Sequence, residues 1–272
     1  MNFDGFIRDC RRQWPDFDEP ARLARALHPA DRRLKEVLDA IPAMATENKL
    51  MLLNCAVANL EPGEAYVEVG CYQGATLVGA ALGNAGARLF GCDNFSQFDG
   101  AAEKLKANLN AWTAPGQVAF HDLDYREFLV RAPWRPARIG VYFYDGSHSF
   151  EDQFEGLRHA LPHFSDRALV IVDDTNKRAA RSANALFARI VPGFEPLLDL
   201  PTPGNHHPTW WNGVQVFRMR RNAATPEAID DPGRAFSVRK FFFDDVALNL
   251  RHRRRALRRR IKETLGRNRK RR

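Results

Sequence analysis

The sequence predicts an α/β protein built on a Rossmann-like, doubly wound sheet of five parallel strands, closed by a terminal antiparallel pair. Three observations carry that expectation. Five short apolar runs alternate with helical stretches between residues 65 and 174, the pattern of buried parallel strands joined by crossover helices. Two further apolar runs follow with no helix read between them. Acids and glycines recur at the ends of the five runs, where ligands sit in sheets of this kind.

Taken in order, residues 1–45 hold Trp14, Pro15, Pro20 and the stretch ARLARALHPADRRLKEVLDAI, interrupted at Pro29, and read as a helical N-terminal cap. The segment ENKLMLLNCAVANL from Glu47 is apolar on more than one face, as a buried helix would be, and stops at the turn signal EPGE. The five strands are AYVEVG (65–70), RLFGCD (88–93), QVAFHD (117–122), IGVYFYDG (139–146) and RALVIVDD (167–174). Helical stretches between or after them include ATLVGAAL, AAEKLKANLNAW, YREFLV and FEDQFEGLRHALPHF. The antiparallel pair is FEPLLDL (194–200) with GVQVFRMR (213–220). The organisation expected is therefore a cap over 1–45, a main domain over 46–220, and a linker with a basic C-terminal helix over 221–272.

With 272 residues, 44% of them hydrophobic, the chain suits one large domain with appendages and excludes a disordered or fibrous protein. The longest uncharged run, Val69 to Ala87, contains five glycines together with Gln73, Thr76 and Asn84, so it lacks the continuous apolar surface of a membrane span. Charges in MNFDGFIRDCRRQW fall where a signal peptide would be apolar, which predicts a cytoplasmic protein. Cys10, Cys55, Cys71 and Cys92 show no paired CxxC spacing, so neither a zinc module nor a disulfide framework is expected.

The formal charge of +8 conceals two different regions. Residues 251–272 hold 13 Lys or Arg against one acid, Glu263, while the preceding 250 residues carry 28 bases and 32 acids. The body is mildly acidic and the tail intensely basic.

After the first strand comes E-V-G-C-Y-Q-G, with Gly70 and Gly74 four apart. A dinucleotide fingerprint places a glycine at the position of Tyr72, so that the backbone can approach a pyrophosphate. The bulky residue argues against NAD or FAD and leaves room for a cofactor without phosphates, such as S-adenosylmethionine. Asp93 follows Gly70 by 23 positions, at the end of the second strand, close to the spacing at which an acid grips ribose hydroxyls. Glu68 either faces the sulfonium side or fixes the loop.

Three stretches, YVEVGCYQGATL, VYFYDGSHSFEDQFEGLRHALPHF and ALVIVDDTN, resemble the class I S-adenosylmethionine-dependent methyltransferases. The likeness is to the small-molecule O-methyltransferase-like group that includes macrocin-type and cephalosporin-hydroxylase-like proteins, and it covers residues 46–220. It implies a cofactor cradled by Glu68, Gly70 and Gly74, with its ribose on Asp93 and Asp124 on the adenine side. It also implies a divalent metal, Mg²⁺ or a similar ion, on Asp145, Asp173 and Asp174, the positions where some members carry metal-binding acids. The lysine that catechol-type relatives hold near the fourth-strand acid is absent, and His148 lies three residues beyond Asp145 instead.

The chemistry expected is methyl transfer to a small-molecule hydroxyl, of a sugar or natural product. Three converging carboxylates repel one another unless a cation joins them, and a bound hard cation would lower the acceptor's pKa; in the alternative, Asp173 or Asp174 caps the next helix. His148 with Asp145 forms the candidate catalytic pair, because an imidazole can take a proton near neutrality, unless His148 is a loop histidine held by backbone hydrogen bonds. Ser149 and Asp152 have capping-box spacing. In the loop PTPGNHHPTWWNG, His206, His207, Trp210 and Trp211 either line an acceptor pocket or pack the hairpin loop.

In the tail, Val246, Leu250, Leu257, Ile261 and Leu265 share one helical face with arginines over the rest. Its alternatives are an anionic membrane surface, nucleic acid, docking on the acidic body or a partner chain, or a solvated tail. Two other readings of the whole chain remain at this point: a nucleic-acid methyltransferase delivered by the tail, and a non-catalytic binding or membrane-associated protein on the same scaffold.

Overall fold

Runs rich in Val, Ile, Phe and Tyr form the strands, as β-branched and aromatic side chains fit a pleated, buried surface. They are β1 (Glu64–Val69), β2 (Leu89–Asp93), β3 (Val118–Asp122), β4 (Arg138–Tyr144), β5 (Phe164–Val172), β6 (Phe194–Leu200) and β7 (Val214–Arg220). The computed structural model describes residues 1–98, 100–247 and 250. Among these residues one seven-stranded sheet runs in the order β3-β2-β1-β4-β5-β7-β6. The pairings from β3 through β5 are parallel. β7 lies antiparallel to both β5 and β6, so the later strand of the expected pair inserts beside β5 and the earlier one forms the edge.

The helices are α1 (Phe3–Gln13), α2 (Pro20–Leu23), α3 (Lys35–Ala40), α4 (Glu47–Val57), α5 (Ala75–Ala81), α6 (Ala101–Trp112), α7 (Tyr125–Arg131), α8 (Phe150–Ala160), α9 (Arg178–Ile190) and α10 (Arg234–Lys240). Alternation along the strands divides the core between the two faces of the sheet. Tyr66, Val141, Phe143, Leu169 and Ile171 point to one face, where α4, α5 and the N-terminal residues Phe3, Phe6, Cys10 and Trp14 cover them. Val67, Val69, Tyr142, Tyr144, Val170 and Val172 point to the other, under α7, α8 and α9. This three-layer burial is what makes the central strands read as continuous apolar runs.

Two parts differ from the sequence expectation. The stretch 21–41 was expected as helix broken only at Pro29, yet it contains only the short α2 and α3. Leu34, Val37 and Ile41 are buried at helical spacing around α3, and Leu23 is buried at the end of α2, so the stretch forms two short helices and not one long one. The helix near the N-terminus is α1, whose Phe3, Phe6 and Cys10 form a buried stripe and whose first turn is capped by Asn2, the side chain accepting from Gly5 N. Helix α9 was not foreseen either; its buried face is Ala180, Ala183, Asn184, Leu186 and Phe187.

The region after residue 220 is more than a linker. The π-helical turn Phe241–Val246 continues α10, and Phe236 and Phe243 pack against Phe150 and Phe154 of α8. Asp244 accepts hydrogen bonds from Phe150 N and Glu151 N, at 2.7 and 2.8 Å, and so caps α8 across 94 residues of sequence. The basic helix expected over 251–272 lies outside the described residues.

Candidate active site

Strand order reverses between β1 and β4, and a cavity of about 580 Å³ opens at the carboxyl ends of the strands there, where such sheets hold their ligands. Each crossover delivers one acid or glycine to its wall: Gly70 after β1, Asp93 on β2, Asp124 after β3, Asp145 after β4, and Asp173 with Asp174 after β5. Glu68 and Gly74 are not among the lining residues.

The β1 loop is held shut by Asp93. Its Oδ2 accepts from Cys71 N and Tyr72 N, both at 2.9 Å, and its Oδ1 from Phe95 N at 2.8 Å. Three of roughly four acceptor positions on the carboxylate are thereby used, which leaves room for about one ligand hydroxyl. Gly70 adopts a left-handed φ of +86°, and a Cβ there would stand 2.2 Å from the Asp145 carbonyl oxygen, so no other residue fits. Tyr72 also takes a positive φ, and its ring packs on Phe98 at 4.7 Å over the cavity.

Glu68 lies beneath this loop, fully buried, where it accepts from Tyr66 Oη and Thr76 Oγ1. Burial pushes its pKa up to about 8 against the pull of those two hydroxyls. It ties β1 to α5, the arrangement in which Glu68 fixes the loop, and it lies outside the cavity lining. Asp124 accepts from Arg126 N as the N-cap of α7 and also borders the cavity.

The acids after β4 and β5 meet an internal cation that the sequence reading missed. Lys49, in the first turn of α4, is fully buried and pairs with Asp173 Oδ2 while also donating to Met44 O. Burial disfavours its charge, but Asp173, Asp145 and Asp174 together hold it above the usual lysine value. Asp145 and Asp173 are raised to about 7, by burial first and by neighbouring carboxylates, against the lowering pull of Lys49. Asp174 is turned outward by a left-handed φ of 53°; its carboxylate takes Lys177 Nζ and Asn212 Nδ2. Burial opposes its charge, yet His148 and Lys177 bring its pKa below the usual range.

These positions do not fit a divalent metal held by all three acids. Asp173 Oδ2 is engaged by an ammonium, Asp174 is engaged by Lys177 and Asn212, and among the described residues no group of three or more His, Cys, Asp or Glu is arranged to hold an ion. Lys49, Lys177 and Asn212 thus occupy two acids, Asp173 and Asp174, of the expected ligand set of Asp145, Asp173 and Asp174, leaving Asp173 Oδ1 as a buried acceptor without a partner among the described residues.

His148 stands between two carboxylates, its Nε2 3.4 Å from Asp145 Oδ1 and 3.6 Å from Asp174 Oδ2. Burial lowers its pKa, partly offset by Asp174, so the ring is neutral at pH 7. A row of amides orients it. Asn184 Nδ2 donates to Gln215 Oε1, and Gln153 Nε2 donates to Asn184 Oδ1, both at 3.0 Å. Gln153 is thus left with its oxygen facing His148 Nδ1 at 3.5 Å. Gln153 Oε1 is thereby placed to accept from Nδ1, while Nε2 faces the carboxylates of Asp145 and Asp174. Ser149 Oγ accepts from Asp152 N and donates to Asp152 Oδ2 as a cap of α8.

The loop between β6 and β7 divides. His206, Trp211 and Asn212 border the cavity, with the rings of His206 and Trp211 4.8 Å apart. Trp210 is in the core, its ring tilted against Trp14 with centroids 5.6 Å apart and its Nε1 donating to Leu23 O. His207 turns to Thr209 Oγ1. Lys49 carries a legible signal: a charge inside a helix that is apolar on more than one face requires a partner where it is buried.

A mostly parallel sheet of this order, with a glycine turn after its first strand and an acid ending its second, is the Rossmann-like methyltransferase fold. Residues 67–175 match the family whose model is described as a methyltransferase domain. No curated protein matches the chain. Among solved structures, the O-methyltransferase of Bacillus cereus in complex with S-adenosylhomocysteine is 16% identical at a TM-score of 0.56, over 74% of this chain and 96% of that one. The O-methyltransferase TomG of Streptomyces achromogenes, involved in tomaymycin synthesis, is 17% identical at 0.53, over 78% and 99%. The Podospora anserina methyltransferase PaMTH1 is 13% identical at 0.56, over 74% and 93%. At these identities the likeness is one of fold. No helix among the described residues is long and apolar enough to cross a membrane.

Proposed function

We propose that the chain transfers the methyl group of S-adenosylmethionine to a hydroxyl of a small molecule, a sugar or natural product, with His148 as general base. The observation that carries this reading is the single cavity wall that joins the Gly70, Asp93 and Asp124 side to the His148 and Trp211 side. The fit to the cofactor rests on the glycine turn at Gly70 that borders the cavity, on the remaining acceptor position of Asp93, and on Asp124 in the same wall. That solved neighbours are bound to S-adenosylmethionine or S-adenosylhomocysteine supports the same choice.

When bound, S-adenosylmethionine supplies an electrophilic methyl group on a sulfonium and leaves as a neutral thioether. His148 Nε2, unprotonated and facing the cavity, accepts the proton that the hydroxyl loses as its oxygen bonds to carbon. Asp145 and Asp174 flank the imidazole and stabilise the imidazolium that results. Lys49 limits the repulsion among the acids from behind, a role that needs no divalent ion. His206 and Trp211 offer ring faces to the acceptor at the mouth.

A small acceptor is favoured over nucleic acid by the pairing of the cavity's bases. Among the described lining residues, Arg126 is bound to Asp152 and Lys177 to Asp174, which leaves no free basic track for a phosphate backbone. Four free, buried cysteines support a reducing compartment, the cytoplasm. Calorimetry with S-adenosylmethionine and S-adenosylhomocysteine tests the reading: micromolar binding lost in Gly70→Val is expected, and no heat at millimolar cofactor would sink it.

A further inference from the structure

Helix α10 and the turn that continues it are apolar on two opposite sides. On the inner side, Phe236 and Phe243 pack on Phe150 and Phe154, with ring centroids 4.9–6.1 Å apart. On the outer side, Val238, Phe241 and Phe242 are 57%, 60% and 63% exposed, and Leu250 further on is 51% exposed. A helix lying on a body ordinarily turns polar residues outward, and grouped exposed apolar side chains mark a contact surface. The spacing of 238, 241 and 242 puts the three on one side.

We propose that this side is a docking surface for an anionic lipid bilayer. Phe241, Phe242 and Val238 enter the boundary between headgroups and acyl chains. The 13 Lys and Arg of residues 251–272, set against one acid, meet the anionic headgroups. Peripheral binding that lasts takes two such signals, an apolar insertion and a basic run, and here they are consecutive in sequence.

A second copy docked face to face through this side would bring together two tails of net +12 each, which charge disfavours. Nucleic acid would match the charge, and the Phe241 and Phe242 rings could stack on bases, but the exposed aliphatic side chains Val238 and Leu250 suit an acyl boundary and not a base. The inference does not depend on methyl transfer. Asp244, within the same turn, caps α8 two residues after His148, so the docking surface adjoins the cavity wall.

Flotation of the full chain with phosphatidylcholine vesicles, with and without phosphatidylglycerol, tests the proposal. Expected are binding only to the anionic vesicles, release at high salt, and binding about tenfold weaker in Phe241→Ser/Phe242→Ser at an unchanged melting temperature. If the double variant loses its cooperative melt, Val238→Ser on the same side reads the same contact. The proposal is overturned if the anionic vesicles do not float the protein, if the serine variants bind them as well as the parent chain, or if a single-stranded RNA binds more tightly and displaces them.

Discussion

Lys49 and Asp173 lie 124 residues apart in sequence and form an ion pair sealed inside the molecule, with side-chain exposures of 0% and 2%. The first turn of α4 thereby delivers a fixed positive charge to the ends of β4 and β5, where Asp145 and Asp174 also stand. Removing one partner of such a pair strands the other charge without water. Lys49→Met is predicted to cost about 3–5 kcal/mol of stability, measured by urea unfolding. The double change Lys49→Met/Asp173→Asn should recover most of that loss. A single variant within about 0.5 kcal/mol of the parent chain would show that the pair carries no weight.

The same pair predicts how the cluster treats metal ions. An ammonium held among the acids repels a divalent cation and already engages Asp173 Oδ2. Mn²⁺ titration followed by electron paramagnetic resonance should show at most millimolar affinity for the parent chain, and S-adenosylmethionine affinity should not change with a chelator. In Lys49→Met, Mn²⁺ should bind at least about tenfold more tightly, since a repelling charge has become an uncompensated carboxylate. Tight Mn²⁺ binding by the parent chain that Asp173→Asn abolishes would restore the three-acid metal site.

For His148, the prediction concerns both its pKa and its tautomer. Burial lowers the pKa from the ordinary 6.5, so the base form is populated at neutral pH and is lost only as pH falls through the lowered value. Nitrogen-resolved NMR should find the midpoint below 6.5 and the neutral proton on Nδ1. In Gln153→Leu the partner of Nδ1 is gone, and the proton should redistribute toward Nε2, where Asp145 and Asp174 can accept it. For any acceptor that turns over, kcat should fall about 10²–10⁴-fold in His148→Ala and less in Gln153→Leu, with KM for the cofactor unchanged in both. A midpoint above 6.5, or an unmoved tautomer in Gln153→Leu, would remove the amide row from the account.

What could be read in the chain depended on how far apart in sequence the interacting groups lie. β1, β4 and β5 are covered on both faces, so burial itself writes a continuous apolar run that needs no partner to be recognised. The acids ending those strands are legible for the same reason, since the fold fixes where a strand's carboxyl end points. Their individual roles are not, because a carboxylate that borders the cavity, as Asp145 does, reads the same as one sealed beneath a loop, as Glu68 is. Lys49 with Asp173, and Asp244 with the first turn of α8, are contacts across 124 and 94 residues. No local period marks them. Helix α9 has a periodic stripe, but small residues such as Ala180 and Ala183 supply part of it, and these give a weak apolar signal.

Glu68 makes the last prediction, a dependence of stability on pH with an unusual sign for a carboxylate. Its folded pKa of about 8 lies above the ordinary 4.5. Below pH 4.5 the group is protonated in both states and costs nothing. Between about 4.5 and 8 the folded state keeps a proton that the unfolded chain has released, so the stability this group leaves to the fold declines as pH rises. Above about 8 the full cost is present, on the order of 5 kcal/mol. Glu68→Gln removes the titration and can still accept from Tyr66 or Thr76. Unfolding free energies of the variant and the parent chain, compared across that window, should therefore diverge in favour of the variant as pH rises. A difference that stays flat from acid to alkaline pH would mean that Glu68 is ionised in the fold at neutrality, with Tyr66 and Thr76 holding its charge.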